Sequence, residues 1–394
     1  MPSVKKILFV SHKANRSGAP VLLLNIIKEF KRKTGLPIQI LVLEDGELVK
    51  EFKAVGQTFV WNKRKVTDPA SLYSVTISLF LRIAIIVKGF YILFRVRNTS
   101  LVFFNTITNG HMHKKLLFLK CKYICYVHEL EAAIHMLTNE YSLGVVLHHT
   151  NLFIAVSNAV KENLVSKNKV NSNIIKVVAS PMAEVWREKI QYTTFINTFK
   201  KSNSIPENAV IIGVAAANEW RKGFDLFAPL VVLYFNLYPE SNVYFVWKGF
   251  RKENMSSFFD LYDYKRSGMQ QRMLLVPHGN DSMEQIASFD IHLLLSREDP
   301  YPLVVLEAAS FGIPTVCFKD AGGSPEFIEN DAGYSVPYAD LMQMAKRLNE
   351  LSENSVLRNE MGLKARKKLS ERHNEKEAMN EIIQILKSTI DSQV

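Results

Sequence analysis

At 394 residues and 45.0 kDa, 47% hydrophobic and 22% charged, the chain has more apolar surface than one ordinary core needs, which predicts two domains and excludes a disordered, collagenous or coiled-coil protein. Three cysteines are too few for a disulfide framework, and Cys121 and Cys125 have no second pair to complete a zinc site, so a reducing, cytoplasmic compartment fits. The formal charge of +11 is lopsided: residues 1–182 hold 25 Lys and Arg against 10 Asp and Glu, the rest 24 against 28, so the first half is expected to meet a membrane surface, a pyrophosphate-bearing substrate or nucleic acid.

The run 7–11 is short and apolar and is followed by His12 and Lys13; it is too brief for a secretory core and reads as the first β-strand. Similar runs follow at 38–43, 101–105, 123–127 and 152–156, each leading into a helical pattern. The longest apolar stretch, 71–97, is interrupted by Arg82, Lys88, Arg95 and Arg97, so it offers no clean run of about 20 residues for a membrane span. Turned at about 100° per residue, these cations share one arc with Ser71, Ser74 and Ser78. The pattern fits a core-packing helix with a basic face, or a helix lying on an anionic membrane; either leaves the basic face exposed. After a polar stretch at 193–208 a second series begins: 210–215, 243–247, 273–276, 291–295 and 315–318. Strands this apolar belong to parallel sheets covered on both faces. The predicted class is α/β, with βαβ domains at 1–185 and 205–370 and a helix at 371–394.

The segment 296–307, SREDPYPLVVLE, is the most informative. A strand ends near Ser296, two prolines fix an extended loop, a helix begins at about Leu303, and Gly312 stands where a C′ glycine belongs. Such a loop delivers a ligand to a helix N-terminus, where free N–H groups and the positive dipole end favour an anion. Asp299 and Glu307 place carboxylates at the loop and one turn into the helix, where they suit the vicinal hydroxyls of a sugar or ribose. Other clusters read as ordinary structure. His111 and His113 lack a partner cluster for metal, and His148 and His149 read as helix-surface residues. There is no Asp-x-Asp pair of the kind that holds Mg²⁺ under a sugar nucleotide.

Residues 296–326 resemble the donor-site signature of family 4 retaining glycosyltransferases, whose fold is GT-B: two facing Rossmann-like βαβ domains with a C-terminal helical tail. Asp299 stands where that family has its first Glu, Glu307 matches the second, and Gly322, Gly323 and Glu326 match a Gly-Gly-x-x-Glu turn. The resemblance implies that Asp299 contacts the sugar and Glu307 the nucleotide ribose, with Tyr301, the Leu303 helix start and Gly323 around the donor. Asp for Glu shortens the arm by one methylene, and Pro302 replaces a common Gly and removes an N–H. The segment 219–225, EWRKGFD, resembles the family's Lys-Gly turn, which implies Lys222 on the diphosphate. The usual Arg six residues upstream is Ala216, and Arg221 is the nearest candidate to replace it. His128, in CYVHEL, corresponds to a His beside the reacting sugar, and Gly18 to a loop closing over the phosphates. Base recognition is expected at Pro277, His278 and Gly279.

The resemblance implies retaining transfer of a sugar from a nucleoside-diphosphate donor to a glycan or lipid-linked acceptor, in bacterial cell-surface polysaccharide synthesis. It implies a basic acceptor-side first domain, a donor-binding second domain, and neither metal nor other cofactor. Contact with an anionic membrane at its inner face is compatible with the basic half; nucleic acid is not expected, because no exposed aromatics interleave with the basic residues. The alternatives are a nucleotide-sugar epimerase or phosphorylase of the same architecture, and a non-catalytic basic lipid- or nucleic-acid-binding protein.

Overall fold

The computed structural model describes residues 5–62, 74–179, 188–251, 257–279 and 281–392. The first sheet contains β1 (Ile7–Lys13), β2 (Ile38–Glu44), β3 (Gln57–Asn62), β4 (Leu101–Phe104), β5 (Lys122–Val127), β6 (Leu152–Ala155) and β7 (Ile175–Val177). The second contains β8 (Val210–Ala215), β9 (Val243–Phe250), β10 (Met273–Pro277), β11 (Ile291–Leu294), β12 (Thr315–Phe318) and β13 (Gly333–Val336). Their orders are β3-β2-β1-β4-β5-β6-β7 and β10-β9-β8-β11-β12-β13, and every described pairing is parallel. The chain thus folds as two parallel-sheet α/β domains, as the sequence predicts. The central strands are apolar on both faces because helices cover both; all four residues of β4, β11 and β12 are buried.

The chain divides into two compact units. One comprises Met1–Val156, Val160–Pro181 and Lys376–Val394, the other Ser157–Ala159 and Met182–Glu375. In the first, Phe30 of the helix Gly18–Thr34 meets Phe9 edge-on with centroids 5.8 Å apart, and Phe9 packs on Phe103 at 5.5 Å. The closing helix runs Glu375–Asp391, and Asp391 pairs with Lys5 at 2.8 Å beside β1. In the second, Trp247 of β9 packs against Phe224 and Phe227 of the helix Phe224–Leu237, with centroids 4.8 and 5.2 Å apart.

Two expectations change. The polar stretch 193–208 contains a helix, Thr193–Ser202, that belongs to the second unit: Phe195, Ile196 and Phe199 pack on the cluster holding Ile211, Phe289 and Phe311, and their spacing hides one apolar stripe in a polar segment. In the helix Ser74–Val96 the exposed face is apolar as well as basic: Val87, Phe90, Tyr91 and Phe94 face out with Arg95 and Arg97, whereas Lys88 folds inward and donates to the Trp61 carbonyl at 3.0 Å. Gly89 sets this rotation, since a Cβ there would lie 3.2 Å from the Trp61 ring. The side chain of Arg82 and residues 71–73 lie outside the described set. Among the described residues no helix is long and apolar enough to cross a membrane.

Candidate functional site

In the second sheet the strand order reverses between β8 and β11. Loops leaving neighbouring strands at such a point diverge to opposite faces and open a crevice at the carboxyl edge. The residues that follow these two strands include Lys222 and Asp299. After β8 a short turn, Trp220–Lys222, runs into Gly223, whose φ is 76° and where a Cβ would lie 2.1 Å from the Leu295 carbonyl oxygen. Glycine alone lets the turn press against the end of β11. Lys222 then reaches over the crevice and pairs with Asp299, whose side chain is 8% exposed against 19% for the lysine.

Asp299 is held on several sides. Its N–H donates to the Ala321 carbonyl at 2.6 Å, its carbonyl accepts from the Gly323 N–H at 3.2 Å, and the Ser296 hydroxyl lies 3.4 Å from its carboxylate. The Gly322-Gly323 turn therefore serves to seat Asp299. Gly323 is needed because a Cβ there would lie 2.4 Å from the Tyr301 ring. Tyr301 braces the turn from behind: its hydroxyl hydrogen-bonds His373 Nε2 at 2.7 Å, and burial pushes its pKa up. Arg221, beside Lys222, donates to the Glu298 carbonyl at 2.9 Å, so it too joins the two loops.

The helix Leu303–Ser310 starts from Pro302, which supplies no side-chain cap, and its first turn holds no acid. The Leu303 side chain is exposed, and Glu307 lies one turn on, half-buried between the buried Leu306 and Ala308. An uncapped N-terminus with a carboxylate one turn behind it accommodates a phosphate and a polyol together.

Two pairs escaped the sequence reading. Arg297 grips Asp225 with both terminal nitrogens at 2.7 Å, donates to the Trp220 carbonyl at 2.6 Å, and lies 4.4 Å over the Trp220 ring. Its own N–H donates to the Arg221 carbonyl at 2.9 Å. This clamp ties the loop after β11 to the turn after β8 and so positions Lys222 against Asp299. Lys248 is a buried lysine in the apolar strand VYFVWKGF, and its ammonium donates to the Pro277 carbonyl at 2.9 Å and to Asp281 at 2.6 Å. Burial opposes ionisation of Asp281, but hydrogen bonds from Lys248 and Gln285 hold its carboxyl below the ordinary value. Lys248 thus anchors the loop bearing exposed Pro277 and His278, while the His278 N–H donates to the Phe250 carbonyl at 3.1 Å. The sequence signal for Lys248 was a charge inside an apolar strand.

The first unit has its own cluster at the ends of β1, β4 and β5. Asn105 donates to the Ala19 carbonyl at 2.8 Å, which leaves its oxygen to accept from His128 Nε2 at 3.3 Å and fixes the imidazole tautomer. Burial, aided by the nearby His12, lowers the His128 pKa to about 3, so the ring is neutral. Gly18 opens the adjacent helix, with nothing within 4 Å of a Cβ placed on it. Glu129, also missed in the sequence, is largely buried and accepts from Thr106 Oγ1, the His128 N–H at 3.0 Å and the Ile107 N–H at 3.4 Å. Burial raises its pKa to about 7 against the lowering effect of those donors. Among the described residues no group of three or more His, Cys, Asp or Glu is placed to hold a metal.

Residues 195–368 match the family model for glycosyl transferases group 1. That stretch, less than half of the chain, contains the whole Lys222–Asp299–Glu307 arrangement. In sequence the chain is similar to an uncharacterized glycosyltransferase of Haemophilus influenzae, 28% identical over 201 residues, covering 48% of this chain and 55% of the relative. It is also similar to sulfoquinovosyl transferase SQD2 of Arabidopsis thaliana, 24% identical over 238 residues, covering 57% of this chain and 42% of the relative. The chain thus spans about half the length of these relatives. In fold it resembles Anabaena Alr3699/HepE, solved in complex with UDP, at 16% identity and a TM-score of 0.76, covering 98% of this chain and 100% of that one. The same protein is also solved with UDP-glucose.

Proposed function

We propose that the protein is a retaining glycosyltransferase that moves a sugar from a nucleoside-diphosphate donor to a glycan or lipid-linked acceptor of the cell surface. The observation that carries this reading is the pairing of Lys222 with Asp299 at the strand-order reversal, beside the uncapped helix at Leu303. Without donor, Asp299 holds the ammonium in place; a diphosphate arriving at the helix end competes for it.

In the transfer, the bond between the anomeric carbon and the β-phosphate oxygen breaks and its electron pair leaves with the diphosphate. The acceptor oxygen bonds the same face of the sugar, and its proton goes to the departing phosphate oxygen. Charge grows on the diphosphate as this happens, so fixed cations and N–H dipoles there lower the barrier. Lys222, the Leu303 helix end and Arg221 supply them, with Arg221 replacing the cation absent at Ala216. Asp299 holds sugar hydroxyls; in the first unit, neutral His128, with Nε2–H turned to Asn105, presents Nδ1 as a hydrogen-bond acceptor. Glu307 accepts from the ribose hydroxyls, and the Lys248-anchored loop at Pro277 and His278 faces the base.

The test is proton NMR of reactions containing UDP-sugars and candidate glycan acceptors. The expected product keeps the donor's anomeric configuration. An inverted product, or an epimerised donor with no transfer, overturns the proposal.

A further inference from the structure

The crest of the helix Ser74–Val96 is an anomaly for a water-facing helix. Val87 is 61% exposed, Phe90 70%, Tyr91 53% and Phe94 61%, with Ile85 and Ile86 exposed alongside. Contiguous large apolar side chains on a surface mark something that covers them. The cations beside the crest do not form a separate polar face. The Arg97 guanidinium lies 3.6 Å over the Phe94 ring and that of Arg95 5.7 Å over Tyr91, so each aromatic carries a positive charge at its rim. The same alternation continues where Lys115 stands 5.9 Å over Trp61 and Lys114 4.7 Å over the exposed Tyr141, so exposed aromatics do interleave with basic residues here, contrary to the expectation from sequence.

Charge identifies the occupant. From residue 52 to residue 128 the sequence holds twelve Lys and Arg and one acid, Asp68, so this stretch alone has the net +11 of the whole chain. A second copy docked by this face would set these cations against their own images. Aromatic rings rimmed by guanidinium and ammonium groups match the boundary of a bilayer, where rings enter below the headgroups and long basic side chains stay at the phosphate level.

We propose that this face of the first unit, centred on Phe90 and Phe94 and rimmed by Arg95, Arg97, Lys114 and Lys115, docks peripherally on an anionic lipid surface. It goes beyond the transfer chemistry and does not depend on it, since vesicle binding is measured without donor or acceptor.

The full chain is spun with vesicles of phosphatidylcholine alone, and of phosphatidylcholine with about 30% phosphatidylglycerol, at low and high salt. Binding is expected to the anionic vesicles, to fall as salt rises, and to be weak on neutral ones. Arg95→Gln/Arg97→Gln should weaken it on the order of 20-fold, about fivefold for each charge removed. Phe90→Gln/Phe94→Gln should abolish it at equal lipid charge, with unchanged thermal unfolding, since both side chains are exposed. Equal binding of both variants and wild type, or no preference for anionic vesicles, overturns the proposal. So does self-association that the Phe variant abolishes, which would make a second copy the occupant, or a salt-sensitive shift of a nucleic-acid probe in place of vesicle binding.

Discussion

Lys222→Ala tests stability and catalysis at one point, and the two effects can be separated. Removing the ammonium strands the Asp299 carboxylate, with 8% side-chain exposure and the Ser296 hydroxyl 3.4 Å away. Breaking a fully buried ion pair from one side costs about 3–5 kcal/mol; the 19% exposure of Lys222 admits water, so about 2–3 kcal/mol is expected here. Asp299→Asn alone should cost about 1 kcal/mol, because the stranded charge is then the more exposed lysine. The double variant leaves neither charge unpaired and should also cost about 1 kcal/mol, recovering most of the loss. Its transfer rate should not recover: without the cation facing the departing diphosphate, kcat stays down by roughly 10²-fold or more. Urea unfolding of the four proteins gives the coupling energy, and initial rates give the catalytic term. A double variant as unstable as Lys222→Ala would show that no buried charge was stranded. A double variant with restored activity would remove Lys222 from the chemistry.

Glu307→Gln should lower kcat/KM at least tenfold with folding intact, because a neutral amide is a weaker acceptor for ribose hydroxyls by about 1.5–3 kcal/mol; an unchanged value excludes Glu307 from the site. Gly223→Ala places a methyl against the Leu295 carbonyl in a backbone with φ 76°, so urea stability should fall by more than about 1 kcal/mol and transfer should fall with it, as the turn carrying Lys222 shifts. Glu129 makes stability pH-dependent. Its folded pKa of about 7 lies above the ordinary value of 4.5, so the unfolded chain loses the proton first and native stability falls as pH rises from about 4.5 to about 7, by on the order of 3 kcal/mol, then levels off. Urea titrations of Glu129→Gln across that window should show a flatter profile, and an identical slope refutes the assignment. Transfer should persist in EDTA, because Lys222, Arg221 and the Leu303 helix end meet the phosphate charge; complete loss restored by Mg²⁺ or Mn²⁺ contradicts this.

What the sequence made legible follows from burial. Strands covered on both faces, such as β4, β8 and β12, are continuous apolar runs and are read within a residue or two of their ends. The sheet-edge strands β3 and β13 are only partly buried and include Gln57, Thr58, Asn62 and Ser335, so no period stands out and both were missed. Lys222, Asp299 and Glu307 can be named as candidates from the sequence because residues at a turn and a helix start leave local spacing. The Arg297–Asp225 clamp spans 72 residues of sequence and leaves none. Helical spacing alone could not tell which side of 74–96 faces out, since one close approach, Gly89 on Trp61, sets the rotation.

In the proposed function the second unit grips a nucleoside diphosphate through Lys222 and the helix at Leu303. Calorimetric titration of wild type and Lys222→Ala with UDP, GDP, dTDP and ADP, and with their monophosphates, tests it directly. One diphosphate is expected to bind wild type more tightly than its monophosphate, and Lys222→Ala to erase this difference while retaining the monophosphate affinity. Binding of no nucleotide, or a diphosphate preference unchanged in Lys222→Ala, would contradict it.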